Sequence, residues 1–456
     1  MKQTLLDTLS KHGKKINYME IRFEDRVSNS IFIRDSEIET VKRSFDFGGC
    51  IRVLHNGTWL FSSFNRLEDL DEMADSITKR ALIVPKGDSK LAEVPVVVDE
   101  VQLKEDAEIA AEAPLEEKIK ILTHYNELIL NYKKNITNSA VAYMDSFIHR
   151  YFANSEGSYI YQPISDMGFN ISAIARKEDD TQRLSISNGG KFKFKIIYGM
   201  DDKILKCCDE VNELIDAPKV KGGKYPVVLN NRLTGVFVHE SFGHTDEADG
   251  ILENENLEEV LKLGRRFGKD ILNIYDSGID YGCRGYMKYD DEGVKTEKTD
   301  LIKDGILVGR LHSRETAAKL GEKPTGNARA IDYTFSPVCR MRNTAIGKGD
   351  SSFDDMIKDI KLGIYCVDAL GGTGGEMFTF TAAYGIMIRN GKLAEKVKNV
   401  KLMGSLYETL ENIDMIGNDF EIPDSAGGCG KAGQFPLPVS CSGPHIRIQN
   451  VTIGGE

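Results

Sequence analysis

Two imidazoles flank one carboxylate in Val238-His239-Glu240-Ser241-Phe242-Gly243-His244, within an apolar segment that includes Leu233, Val236 and Phe237. That set suits one job. The imidazoles hold a divalent metal, zinc first among the candidates, and the carboxylate takes a proton from the water that such an ion acidifies. A four-residue separation, H-E-x-x-H, places both imidazoles on one helix face. Here His239 and His244 are one residue further apart. Five steps at 3.6 residues per turn rotate through roughly 500°, which leaves the rings about 140° apart on a regular helix. A π-bulge absorbs one residue and restores a shared face. Gly243, just before the second His, lowers the cost of that distortion. The sequence therefore predicts a helix from about Arg232, capped by Asn230 or Asn231, that bulges or ends near Gly243.

A third ligand is sought among the eight cysteines. No C-x-x-C pair exists, which argues against a zinc ribbon. Seven of them read as small buried hydrophobes. Cys429 differs, because it sits in Gly427-Gly428-Cys429-Gly430-Lys431-Ala432-Gly433-Gln434. Flanking glycines let the backbone approach an ion closely, and Lys431 would favour the thiolate. By composition alone the segment suits a turn with a buried thiol equally well.

His239-Glu240-x-x-x-His244 followed far downstream by Cys429-Gly430-Lys431-x-Gly433-Gln434 resembles the TldD/PmbA family of metallopeptidases. Other pieces match in order: Tyr289-Asp290-Asp291-Glu292-Gly293, Pro324-Thr325-Gly326-Asn327, Arg340-Met341-Arg342-Asn343-Thr344, Gly371-Gly372 and Asn412-Ile413-Asp414. Near the amino terminus Gly48-Gly49-x-Ile51-Arg52-Val53-Leu54 and Gly57-x-Trp59 also fit, so the likeness spans nearly the whole chain. The complete H-E-x-x-x-H is similar to the TldD-like branch rather than the PmbA-like one. The resemblance implies zinc held by His239, His244 and Cys429, with Glu240 as the catalytic carboxylate. It also implies a paired assembly around the site, a homodimer or a heterodimer with a PmbA-like paralogue, acting on unfolded or flexible peptides. Two stretches depart from the family pattern, Gly371-Gly372-Thr373-Gly374-Gly375-Glu376 and Pro438-Val439-Ser440-Cys441. Both bear on substrate preference rather than on the metal chemistry.

Further candidates surround this set. Tyr289-Asp290-Asp291-Glu292 could form a second metal site, support the first, or be an acidic turn. One of Asp246, Glu247 and Asp249 could accept the outer N–H of an imidazole, or all three could sit in a solvated loop. Arg340 and Asn343 are candidate substrate-binding residues, since the guanidinium fork suits a carboxylate; Arg340 could equally pair structurally. His12, His55, His124, His149, His312 and His445 have no ligand-like spacing.

Bulk properties narrow the classes. A chain of 456 residues suggests two or three domains, and 41% hydrophobic with 28% charged residues is ordinary for a globular protein. The net charge of −11 argues against broad nucleic-acid binding. No apolar run approaches the ~18 residues of a membrane span, and the first residues lack a secretory apolar core. With single scattered cysteines, the expected location is the cytoplasm.

Positioning elements can be read from periodicity. Helices are expected at residues 2–12, after a cap at Asn65 (Leu67, Leu70, Met73, Ala74, Ile77, Ala81), over 115–132 and near Ile204–Leu214. Strands are expected at Tyr18–Phe23, Ser30–Arg34 and from Val141 to Arg176, with residues 84–113 as a connecting stretch. Asn56-Gly57, Asp304-Gly305 and Asn390-Gly391 each mark a hairpin. Short helices are expected near Leu257–Phe267 and Phe353–Leu362. The order in residues 16–82 and 139–215 hints at an internal duplication. The fold class is α+β with two domains: a mixed strand/helix domain over residues 1–217, and a strand-rich antiparallel domain over 218–456 that carries the metal site. The expected function is a zinc-dependent peptidase. The alternatives are a zinc-binding, non-catalytic subunit of a peptide-maturation complex, and a dipeptidyl-peptidase III-like enzyme, whose downstream acidic ligand segment is not found here.

Overall fold

The structure is a computed structural model that describes residues 1–423 and 425–454. Residues 18–191 build one seven-stranded sheet. The two short strands expected at its start are one continuous strand, Tyr18–Arg34, paired on both sides along its length. Its polar middle is tolerated because each buried polar side chain there has an ion-pair or hydrogen-bond partner. Glu24 meets Arg26 and Arg150, and Asn29 donates to Asp145 at 2.8 Å. Asn56 and Gly57 take φ of 50° and 77°, the left-handed pair a two-residue hairpin turn needs. Asp304-Gly305 and Asn390-Gly391 form the same kind of turn between the strands flanking them.

The duplication hinted at by the sequence is visible in the topology. One helix–three-strand–helix unit runs Lys2–His12, Tyr18–Arg34, Glu37–His55, Thr58–Phe64, Leu70–Ala81. The other runs Leu115–Tyr132, Ile136–Asn154, Tyr159–Lys177, Asp180–Lys191, Asp201–Asp216. Their first strands pair antiparallel, so the sheet reads third, second, first, then first, second, third. In each unit the helices bury one apolar stripe on the sheet. Leu5, Leu9, Leu70, Ala74 and Ile77 pack on Ile21, Phe23, Ile51 and Val53 in the first. Asn65 does not cap the helix that follows it; a short 3-10 turn, Leu67–Asp69, leads in instead, with Arg66 paired to Asp69. The connecting stretch contributes a three-residue strand, Val98–Glu100, parallel to Tyr159–Tyr161.

Residues 223–454 hold the remaining sheets, of which the larger are seven- and five-stranded. They are mainly antiparallel. Two short pairings are parallel: Gly223–Leu229 with Leu362–Thr373, and Asn343–Ile346 with Ser440–Ser442. The helix expected over Leu257–Phe267 covers only Glu255–Val260, because Leu261 and Phe267 turn inward to the core. The one near Phe353 stops at Ile357, and Leu362 opens a strand. No helix among the described residues is long and apolar enough to cross a membrane.

A buried ionic layer joins the two halves, and it uses the acidic run at Asp290–Glu292. Asp291 accepts from Arg150 at 2.6 Å, and Glu292 lies 3.3 Å from Arg52; both arginines stand on the first sheet. Asp290 accepts from the backbone N–H of Glu292, Val294 and Ala328. All three acids are about 2% exposed, so this run is neither a solvated turn nor an open ligand set. Breaking such a pair strands a buried charge, which typically costs about 3–5 kcal/mol.

Candidate metal centre

The strand Gly223–Leu229 ends at Asn230, whose side-chain oxygen accepts from Leu233 N at 3.0 Å. That cap contributes about 1 kcal/mol and starts the helix Asn231–Val238. The bulge inferred from spacing is present: residues His239–Gly243 form one π turn, and His244 N donates to His239 O, five residues back, at 3.2 Å. Leu233, Phe237, Val238 and Phe242 anchor the segment in the core. Two glycines set its contacts. A Cβ on Gly235 would lie 2.6 Å from the Cys441 carbonyl carbon, and one on Gly243 only 2.0 Å from Met341 Sδ. Gly243 therefore admits both the bulge and the Met341 side chain beneath it.

Cys429 arrives on a hairpin of Gly428–Lys431 and Gln434–Pro438, turned by Ala432 and Gly433 at φ 51° and 73°. Gln434 anchors this hairpin, accepting from Ile331 N at 2.9 Å and donating to Ser336 O at 3.1 Å. The expected role of Lys431 is corrected. Its ammonium donates to Glu247 at 2.9 Å, Asp249 at 2.5 Å and Cys339 O at 3.2 Å, so it fastens the hairpin to the segment after His244.

The hairpin brings Cys429 to the two histidines. One ligand atom from each of His239, His244 and Cys429 lies within 4.8 Å of the others, the one such cluster among the described residues. Cys429 Sγ is 3.1 Å from His244 Nε2, and the two imidazole centroids are 5.2 Å apart. Burial raises the Cys429 thiol, but hydrogen bonds from His239 and His244 outweigh it and draw the thiol down to about 5. The reciprocal effect lifts His244 to about 9: burial opposes the charge, while Cys429 and Glu247 favour it. Burial likewise opposes the charge on His239, but Cys441 and Cys429 beside its ring raise it overall. A buried thiolate between two imidazoles is a donor set that fits a divalent ion such as zinc, which takes the place of the protons. His239 Nδ1 has no hydrogen-bond partner, although buried.

Among the three acids that follow His244, Glu247 accepts from its Nδ1 at 3.1 Å, leaving Nε2 toward Cys429. That bond selects the tautomer a ligand needs. Asp246 is buried away from the imidazole with both oxygens unpaired, and Asp249 binds Lys431. Glu240 lines a cleft of about 120 Å³ with His239, Arg232, Val236 and Cys441. The glycine-rich tip after Leu362–Thr373 packs on the Glu240 backbone, since a Cβ on Gly374 would fall 1.8 Å from the Glu240 carbonyl oxygen.

Arg340 and Asn343 are not in the wall of that cleft. The Asn343 amide is spent on backbone, donating to Ser277 O at 2.7 Å and accepting from Gly285 N at 2.9 Å. Arg340 is fully buried and only grazes Gln434 O at 3.5 Å. Sequence reasoning passed over Cys441 and Met341 as site neighbours. Nothing local marks Cys441 as close to His239; the parallel pairing of Ser440–Ser442 with Asn343–Ala345 puts it there.

Comparison with known proteins finds relatives along nearly the whole chain. Models of the PmbA/TldA metallopeptidase domain 1, central domain and C-terminal domain match residues 19–81, 108–216 and 222–455. The chain is 40% identical to a metalloprotease of Synechocystis over 100% of this chain and 98% of that protein. It is 30% identical to a protein of Saccharolobus solfataricus called a zinc metalloprotease TldD homolog, covering 96% of this chain and 97% of that one. The crystal structure of TldE from Thermococcus kodakarensis shares the fold, with a TM-score of 0.79 at 17% identity over 99% of this chain and all of that one.

Proposed function

This chain belongs to the PmbA/TldD family of metallopeptidases, and we propose that it is a zinc-dependent peptidase acting on unfolded or flexible peptides. The observation that carries the reading is the convergence of His239, His244 and Cys429 beside a cleft that Glu240 also lines. In this reading the three side chains hold zinc and leave a position open, as catalytic rather than structural zinc sites do. Bound there, zinc would supply Lewis acidity, bringing a water toward neutral pKa and polarising the scissile carbonyl. Glu240 takes the proton from the attacking water and delivers it to the leaving amine. Glu247 holds the His244 ring in its liganding tautomer, and Lys431, by tying the hairpin to Glu247, keeps Cys429 in place. The cleft is small, about 120 Å³, in keeping with a thin, extended chain rather than a folded substrate.

We further take residues 1–217 and 218–456 as two domains, the chain as cytoplasmic, and its working form as a pair with itself or with a PmbA-like paralogue. One experiment tests the core of the reading. The purified chain is assayed for bound zinc and for cleavage of an unfolded protein, with and without chelator, beside Glu240→Gln. Chelator-sensitive cleavage lost in Glu240→Gln at full zinc occupancy is expected. Zinc without any cleavage favours the non-catalytic subunit.

A further inference from the structure

Two cavities meet at Arg232. The cleft that holds His239 and Glu240 shares Arg232, Val236 and Ser425 with a groove of about 930 Å³. That groove runs between the strand Asp180–Lys191, the helix Asp201–Asp216 and the middle of Leu362–Thr373. Among the described residues its walls carry Arg183, Lys203, Lys206 and Arg232 against Glu210 and Asp368. Asp368 accepts from Asn230 at 2.9 Å, and Glu210 lies 3.9 Å from Lys206. A cationic groove is conspicuous in a chain of net charge −11. Arg232 Nη2 donates to Ser187 O at 3.3 Å, and among the described residues no carboxylate pairs with the guanidinium.

Position adds a length scale. Arg232, Val236 and His239 fall on one helix face, at steps of four and three. Seven residues of helix rise about 10 Å, and an extended peptide advances about 3.3 Å per residue, so Arg232 stands roughly three substrate residues from His239. We propose that Arg232 is a specificity residue, receiving a substrate carboxylate about three residues from the cleaved bond, with Lys203 and Lys206 extending the preference for acidic peptides along the groove. The inference rests on the peptidase reading above. The carboxylate can come from an Asp or Glu side chain or from the peptide's C terminus.

The test uses dye-labelled synthetic octapeptides in which a single Glu or Gln is walked along an otherwise neutral sequence, each as free acid and as C-terminal amide. Binding is read by fluorescence anisotropy on the zinc-loaded full chain carrying Glu240→Gln, and kcat/KM on the chain with Glu240 intact. One charge-assisted hydrogen bond predicts at least about a tenfold preference for Glu over Gln at one register. A preference that follows the free acid instead assigns the C-terminal carboxylate as the source. Arg232→Gln should abolish the preference, Arg232→Lys should restore part of it, and Arg232→Glu should turn it toward a Lys-bearing peptide. A guanidinium that merely ties down Ser187 would not produce that reversal. Equal binding of Glu and Gln peptides and of acids and amides, no measurable binding by any, or a preference untouched in Arg232→Glu overturns the proposal. A preference in binding without cleavage of any peptide leaves Arg232 as a carboxylate-recognition residue and refutes the peptidase reading, and with it the register counted from a cleaved bond.

Discussion

Glu247→Gln is the sharpest probe of how the site is held. The Glu247 carboxylate is 1% exposed and serves three donors. One oxygen accepts from His244 Nδ1 at 3.1 Å and Lys431 Nζ at 2.9 Å, the other from Met341 N at 3.2 Å. An amide cannot satisfy that set. With its oxygen toward His244, its NH2 faces the Met341 N–H; flipped, the NH2 faces both the imidazole N–H and the ammonium. Either way a buried donor meets a donor, at a cost of about 1–3 kcal/mol. Carried into metal affinity this is a loss of roughly 10- to 100-fold, the usual range for removing the partner of a liganding His. The assay is zinc competition against a chromophoric chelator at neutral pH, with the Tm of metal-free protein measured alongside. Acid supplies the second signature. Burial raises the Glu247 carboxyl, but His244 and Lys431 hold it below its ordinary value overall. A depressed carboxyl stabilises the fold above its unfolded pKa of about 4.3, and that contribution is lost as pH falls through the lower folded value. The stability gap between native and Gln forms should therefore close below about pH 4. A zinc Kd within twofold of the native chain, with an unchanged Tm, would refute the reasoning.

Glu240→Gln should retain zinc and fold while cleavage falls at least about 100-fold, the range for a general acid–base group; zinc content and turnover measured on one preparation decide it. Cys429→Ser should lose most bound zinc, whereas Cys207→Ser, in the helix Asp201–Asp216, and Cys441→Ser should keep it, as metal analysis of the three purified variants will report. Deleting Gly243 converts the π turn to a regular one and should preserve part of the zinc binding; near-complete loss from a variant that circular dichroism shows to be folded counts against the bulge as the reason for the spacing. Gly374→Ala places a Cβ 1.8 Å from the Glu240 carbonyl oxygen, so the hairpin tip must lift; kcat/KM should drop several-fold at constant zinc content, while unchanged kinetics would place the tip outside the substrate path.

The parts of this protein legible in its sequence are those governed by a local period or a local backbone demand. The separation of His239 and His244 calls for a π turn or a helix end near Gly243, because a regular helix would splay the rings, and the π turn is the one that forms. Asn-Gly and Asp-Gly pairs mark their hairpins because few other residues take positive φ twice in succession. The sequence marks Asn230 or Asn231 as the cap ahead of the apolar run, and the structure chooses Asn230. Strand continuity was not legible: the mostly polar residues 24–29 look like a break, yet Arg150 and Asp145 arrive from a strand over a hundred residues later to pair with Glu24 and Asn29.

The site itself divides the same way. The sequence names His239, Glu240 and His244 by spacing, and singles out Cys429 only through its glycine-rich surroundings and a family resemblance. That Cys429 stands 3.1 Å from His244, 185 residues away, depends on a hairpin pinned by Gln434 and Lys431. The tertiary structure alone chooses Glu247 over its acidic neighbours, reassigns Lys431 from the thiolate to the carboxylates, turns Asp290–Glu292 into the clasp between the two halves, and opens a cationic groove onto Arg232. The reason is physical. Helix period and turn chemistry act over a few residues and are written in them, whereas a buried charge or a metal ligand is settled by whichever partner the packed chain delivers, and the partner's address is not in the local sequence.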